Sequence, residues 1–308
     1  MTIATGARHD LTYIAEVTYG TTPATPALKA IRHTGTTLGL SKDSIESEEL
    51  REDRQIAHYR HGNKSVSGDV NFELSYTSFD DLIEAVMCGT WTADGDPEVL
   101  KAGTTARTFT VERKQADITQ FLRSTGCSFN SMSLSVAPNS MVTGSFGVIG
   151  KDFTLTQTGI AGASYPAAAT TDPFDSFTGA ITVGGTAIAV VTALELNIDN
   201  GLEAQYVVGD ATSLQPPLAK STVTGSVTAY FEDETLINYF INETAAAVTF
   251  TLTDAAGNDY IFNMPNVKFN SGNPEVGGPG AITVTLDFIA LYDSGTVTQL
   301  QITKDNAA

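Results

Sequence analysis

Val66-Ser67-Gly68-Asp69-Val70 returns 157 residues later as Val223-Thr224-Gly225-Ser226-Val227. Around it, Val66, Val70, Phe72 and Leu74 match Val223, Val227, Ala229 and Phe231. Apart from the spacing at the two glycines, apolar residues take every second position, which predicts a strand with one buried face. Working outward, Thr108-Phe109-Thr110-Val111 returns 141 residues on as Thr249-Phe250-Thr251-Leu252, and Phe129-Asn130-Ser131 returns 140 residues on as Phe269-Asn270-Ser271. The landmarks keep their order. A unit of roughly 120–130 residues is domain-sized, far longer than a solenoid repeat. Two similar domains in one chain point to a surface used repeatedly, as in a symmetric assembly.

Each copy has the same order of elements. Leu38 and Leu40 match Leu194 and Leu196 as a strand start. A long connection follows, residues 41–65 and 197–222, then the repeated strand. Phe79, Leu82, Ile83, Val86 and Met87 then form one helical stripe, with Ser78 as expected N-cap and Asp81 at N3. Leu236, Ile237 and Phe240 repeat it after Asp233 and Glu234. Three more strands close each unit, centred on Phe109 and Phe250, Cys127 and Val267, Val142–Val148 and 282–288. The fold class expected is mainly β (α+β): two tandem β-sandwich or barrel domains, each with one short flanking helix and a long loop. The expected division is an arm at 1–30, with a short strand within 11–19, a first domain at 31–157, a linker at 158–176, a second domain at 177–303 and a fraying tail at 304–308. Gly184-Gly185 is a hairpin signal.

Composition restricts the function. The net charge is −18, with 35 acids against 17 bases. A tight nucleic-acid binder carries the opposite excess, to displace counterions. The charge suits a protein that DNA must slide past, and equally one that is only kept soluble by it. No apolar run approaches a membrane span, and residues 1–10 lack the apolar stretch of a signal peptide. Cys88 and Cys127 fit a reducing compartment, and the alignment of Cys127 with Val267 favours a small buried site over a bridge.

Catalytic and metal chemistry is not legible. His58-x-x-His61 has no counterpart in the second copy, and Asp94-Gly95-Asp96 lacks the distal glutamate of a calcium loop and reads as a turn. There is no phosphate loop and no nucleophile elbow. Asp80-Asp81 and Asp233-Glu234 read as helix-start carboxylates, and Trp91 as a core anchor. No cofactor is expected. The first connection is acidic, then basic, which suits head-to-tail pairing with a neighbour.

The opening Tyr13-Ile14-Ala15-Glu16-Val17-Thr18-Tyr19-Gly20-Thr21-Thr22-Pro23 resembles the start of major tail tube proteins of long-tailed bacteriophages. So do Ser47-Glu48-Glu49-Leu50-Arg51-Glu52-Asp53-Arg54 after a strand, and the Val-x-Gly-x-Val strand before a short helix. The likeness covers most of the chain and is carried by architecture more than by invariant chemistry. It implies a virion protein whose sheets join into rings, whose rings stack into a tube, and whose acidic lumen lets DNA pass. It implies partners among the other tail proteins (tape measure, tail tip, terminator) and assembly in the host cytoplasm, with no membrane span. A flexible, non-contractile tail is expected. The duplication points to a homotrimer ring with pseudo-sixfold symmetry, a homohexamer remaining open. Inter-ring contacts are expected at Glu46, Glu48, Glu49, Arg51, Glu52, Asp53, Arg54, His58, Arg60 and Asp210. Inter-subunit strand pairing is expected near Val66, Val70, Val142, Val148, Val223 or Val227. The alternative is a two-domain adhesin or carbohydrate-binding module, which predicts a monomer with an exposed aromatic platform. Against it, the aromatics fall mainly at core positions.

Overall fold

The computed structural model describes all residues except 1, 2, 93, 94, 96, 177, 178, 275, 277 and 308. Asp94 and Asp96, and residues 177 and 308 of the expected boundaries, lie outside the described residues. The chain is 48% strand and 6% helix, so the mainly-β expectation holds.

The first copy contains β1 (His9–Ala15), β2 (Lys29–Ala30), β3 (Gly35–Thr36), β4 (Gly39–Glu46), β5 (Tyr59–Glu73), α1 (Asp80–Met87), β6 (Glu98–Lys101), β7 (Phe109–Gln115), β8 (Gln120–Val136), β9 (Thr143–Gly150) and β10 (Asp152–Thr156). The second contains β11 (Gly179–Val183), β12 (Thr186–Ala187), β13 (Val191–Asp199), β14 (Thr222–Tyr230), α2 (Thr235–Ile241), β15 (Ala246–Thr253), β16 (Asp259–Phe269), β17 (Thr283–Ala290) and β18 (Gln301–Asp305).

Each copy is built around one long strand that serves two sheets. The first part of β8 lies between β7 and β10, and its second part pairs with β9. A register shift at Phe129/Ser131 marks the crossing, because an extra residue bends a strand and increases its twist. β16 repeats this, pairing with β15 and β18 before it reaches β17. In the core Phe72 stacks on Phe146, Phe129 meets Phe146 edge-on, and Phe250 stacks on Phe262.

The repeated strand owes its glycines to close approach. Gly68 has φ +148°, and a Cβ there would lie 2.6 Å from the Leu38 backbone. At Gly225 a Cβ would lie 2.3 Å from the Glu195 carbonyl oxygen. Gly184 and Gly185, both at positive φ, make the expected hairpin between β11 and β12.

Four local expectations change. His9–Ala15 does not project as an arm; it pairs along its whole length with β7, the place β11 takes beside β15. The connection expected over 41–65 is mostly a hairpin, β4 with β5, leaving only 47–58 irregular. Its strands are polar on both faces, so no alternation betrays them. The tail at 304 is not frayed, since β18 runs to Asp305 and Lys304 is buried. Ser78 does not cap α1; its hydroxyl bonds to Ser75 instead, 2.7 Å away. The α1 stripe from Phe79 to Met87 is buried as expected.

Candidate assembly surfaces

The two copies share one sheet. β8 pairs antiparallel with β13, Ser131 opposite Asp199, Ser133 opposite Asn197 and Val136 opposite Leu194. The strand order across the junction is therefore β4-β5-β9-β8-β13-β14-β17-β16. Asn130 closes the end of the joint. Its Nδ2 donates to Asp199 Oδ1 at 3.4 Å, and its side-chain oxygen accepts the Leu202 N–H at 2.8 Å. Its carbonyl accepts the Asn200 N–H at 3.0 Å. Asn200 in turn donates from Nδ2 to the Val86 carbonyl at 2.8 Å, satisfying an acceptor at the end of α1.

A second joint lies behind the first. β6 of the first copy pairs with β18 of the second. Lys304 Nζ lies 2.7 Å from Asp80 Oδ2 and 3.0 Å from Glu98 Oε2. Burial pulls the ammonium down, but hydrogen bonds and charge from Asp80 and Glu98 outweigh it, and the pKa is raised. Tyr260 donates its hydroxyl to Asp80, and burial first, then the Asp80 charge, push that phenol well up. Trp91 belongs here, with its Nε1–H on the Asp80 carbonyl and Lys304 5.1 Å from its ring centroid. The helix-start carboxylates thus hold strands from elsewhere: Asp81 accepts from Tyr13 and Lys29.

One face of the shared sheet is the core, and the other is open. Across the open face runs the row Glu73, Thr143, Ser135, Glu195, Ser226, Asp287. The next row is Asn71, Ser145, Ser133, Asn197, Thr224, Ile289. Asp69, Gly147, Ser131 and Asp199 begin the third. Lys268, opposite Ile289 on β16, continues the second row, with its ammonium on the Glu243 carbonyl.

The expected inter-subunit strand residues are corrected. Val66, Val70, Val142, Val148, Val223 and Val227 are all at most 2% exposed. β5, β9 and β14 each have a neighbour on both sides, so their backbone groups are already paired. Apolar alternation marks a strand with one buried face, not a free edge. At the end of the shared sheet, among the described residues, β4 pairs only with β5 and leaves a mostly polar free edge.

The expected ring-contact residues separate into two settings. Glu46 and Arg60 lie on the β4–β5 hairpin, and Glu48, Glu49, Arg51, Glu52, Asp53, Arg54 and His58 on its tip, all exposed. Arg51 and Asp53 form a two-pronged pair at 2.8 and 3.0 Å, and Arg54 sits at φ +56°. Leu50 is fully exposed, and Ile45, Ile56 and Tyr59 project from the same finger. Asp210 belongs elsewhere. Its connection, residues 200–221, lies on the first copy: Lys64 N–H donates to the Ala211 carbonyl at 2.8 Å, and Tyr206 donates to the Lys64 carbonyl at 2.9 Å. Tyr19 reaches Ser213 and the Leu214 carbonyl, each at 3.1 Å. Asp210 accepts the Thr212 N–H and hydroxyl, which lower its pKa.

Sequence reasoning missed Glu16 as a hub. Its carboxylate accepts from the Gly20 and Gly126 N–H groups at 2.8 and 2.9 Å, and from the Thr108 and Thr110 hydroxyls at 3.0 and 2.8 Å. This ties the turn after β1 to β7 and β8. The signal available was its place in the Tyr13–Pro23 stretch. His58 and His61 stand on the hairpin, not on a helix. Among the described residues, no three His, Cys, Asp or Glu side chains are grouped to hold a metal.

The phage tail tube protein family matches residues 6–290, nearly the whole chain. The chain belongs to this family. It is a structural phage tail protein, a component of the virion, and its family is one of self-assembling subunits that meet other tail proteins. No curated protein matches the chain. Among the described residues, no helix is long and apolar enough to cross a membrane.

Proposed function

We propose that three chains close into a ring of six similar domains, that rings stack into a tube, and that DNA passes through the bore during ejection. One observation carries this reading: the shared sheet crosses the two copies without a break and presents an open face of hydroxyls, amides and carboxylates. Glu73, Glu195, Asp199 and Asp287 stand on that face. As the bore wall it sets carboxylates against DNA phosphates, and Lys268, the cation at its β16 end, is already tied to the Glu243 carbonyl. The duplication favours three chains over six, because β8–β13 already makes one of the joints within the chain. The finger at 47–58, with Leu50 and Ile56 exposed among charges, is suited to reach an adjacent ring. Assembly takes place in the host cytoplasm, where tape measure, tail tip and terminator proteins set the length and ends of a non-contractile tail.

The test is negative-stain microscopy with sizing across a concentration series. Rings of three chains and hollow tubes are expected. A strictly monomeric species at every concentration would defeat the reading.

A further inference from the structure

The finger and an apolar cavity stand at opposite ends of the shared sheet. β4 runs into the finger at Glu46, and β5 leaves it at Tyr59. At the other end Glu73 pairs with Thr143, Thr143 with Ser135, and Val136 with Leu194. Just beyond, where the β8–β13 joint stops, a cavity of about 420 Å³ opens among Val136, Ile181, Ile188, Val191, Leu194 and Phe250. It follows from a difference between the copies. The Ile188 N–H donates to the Ile181 carbonyl at 3.0 Å, as the Ile31 N–H donates to the Leu11 carbonyl at 2.8 Å. Ile181 stands opposite Phe250, as Leu11 stands opposite Arg113. Gly179, opposite Leu252, therefore takes the place of His9, opposite Gln115. In the first copy His9, His33 and Arg113 bond to one another at this place. The glycine has no side chain with which to close it.

We propose that Leu50 of one chain enters this cavity of a chain in the adjacent ring. This rests on the stacked-ring reading above and names the receiving surface. In a ring closed by the shared sheet, strands succeed one another around the circumference, so their two ends face the two neighbouring rings. Rings stacked in one sense then bring each finger to the cavity end of the next. The numbers match. The second copy's own connection, residues 200–221, is held on the first copy at Lys64, so each chain offers one finger for one cavity of this kind among the described residues. The chemistry matches as well. Leu50 is fully exposed and Ile56 projects beside it, while the cavity wall is mostly aliphatic. Charge is complementary at the rim. Among the described residues the Arg54 guanidinium is in no ion pair, and Asp175 stands at the cavity mouth. The Tyr230 N–H, on the Val190 carbonyl at 3.0 Å, brings Glu232, Asp233 and Glu234 to the same end.

Substitution and crosslinking test the docking on the full chain. Leu50→Asp sets a carboxylate against an apolar wall. Rings should form as in the wild type, and the fraction sedimenting as tubes should fall at least ~tenfold. The thermal midpoint of the unassembled chain should stay unchanged, because Leu50 touches nothing in its own chain that shields it. Ala189→Trp, at an exposed position on the cavity wall, fills the mouth and should block stacking in the same way. Separately, Leu50→Cys with Ala189→Cys should give, after mild oxidation of assembled tubes, a ladder of covalent multimers extending beyond one ring on a non-reducing gel. Leu50→Cys alone should give none, since fingers do not meet fingers. The native Cys88 and Cys127 are buried and do not compete. Wild-type tubes together with normal tubes from Leu50→Asp, with no ladder from the Leu50 and Ala189 pair, or with crosslinking by Leu50→Cys alone, overturn the docking and leave the stacked-ring reading standing. A wild-type chain that forms no tube overturns both.

Discussion

Lys304 Nζ lies 2.7 Å from Asp80 Oδ2, joining the last strand of the second copy to the first residue of the helix in the first. The pair is largely shielded from solvent, and Glu98 and Tyr260 complete it. Removing the cation leaves the Asp80 and Glu98 carboxylates facing each other without it, with Tyr260 still donating to Asp80. Lys304→Met is expected to destabilise the chain by about 3 kcal/mol, since breaking one side of a shielded ion pair costs more than the pair contributes. Urea unfolding of the unassembled chain measures it.

Glu16 offers a second stability test. Glu16→Ala leaves the Gly20 and Gly126 N–H groups without their carboxylate. A loss of about 3 kcal/mol is expected from two charge-assisted bonds. Hydrogen exchange should quicken at these two amides before it quickens in β14.

Gly68→Ala tests the close approach of β5 to Leu38. The new Cβ meets backbone at 2.6 Å in a conformation that side chains rarely adopt. A cost of about 3 kcal/mol is expected, from strain and the displaced neighbour together. Gly185→Ala, in open space, should cost less.

His9 makes stability depend on pH. Burial first, then the charges of His33 and Arg113, lower its pKa to about 4 against the pull of Asp10. Its Nδ1 is 2.7 Å from His33 Nε2, and Arg113 Nε donates to its Nε2 at 3.3 Å, so the folded ring is held neutral. The unfolded chain takes up its proton near the ordinary histidine value of 6.5. The contribution is therefore complete above pH 6.5 and is lost as pH falls from there toward 4. A thermal midpoint that drops over this window in the wild type, and drops less in His9→Gln, is the expected result.

The open face, proposed above as the bore wall, can be recharged. Glu73→Lys with Glu195→Lys places cations on one row of the open face without touching the core. Tubes should still form but should retain double-stranded DNA, with retention falling steeply as salt rises. Filter binding at several salt concentrations reads this directly.

Replacing residues 48–57 by a short turn should leave both copies folded, because the finger tip is exposed and carries no core residue. Rings are then expected without tubes in micrographs. Normal tubes would remove the finger from the stacking contact.

The duplication, the β class and the helix stripe were legible because burial imposes a period on sequence. Val66, Val70 and Phe72 alternate since one face of β5 meets the core, and Phe129 returns as Phe269 since the same site is filled twice. The acidic balance was legible from composition alone. The joints were not. β4 is polar on both faces and carries no period, so its hairpin read as a loop. β1 read as an arm because its partner β7 lies some hundred residues away along the chain. Which strands are edges is a property of neighbours in space: Val70 and Ser41 differ in what flanks their strands, and no spacing along the chain encodes that. The amino-acid order determined the repeated apolar faces and the acidic balance. Folding alone decided that the open faces merge into one wall, because hydrogen bonds between strands join whichever backbones the packing brings side by side.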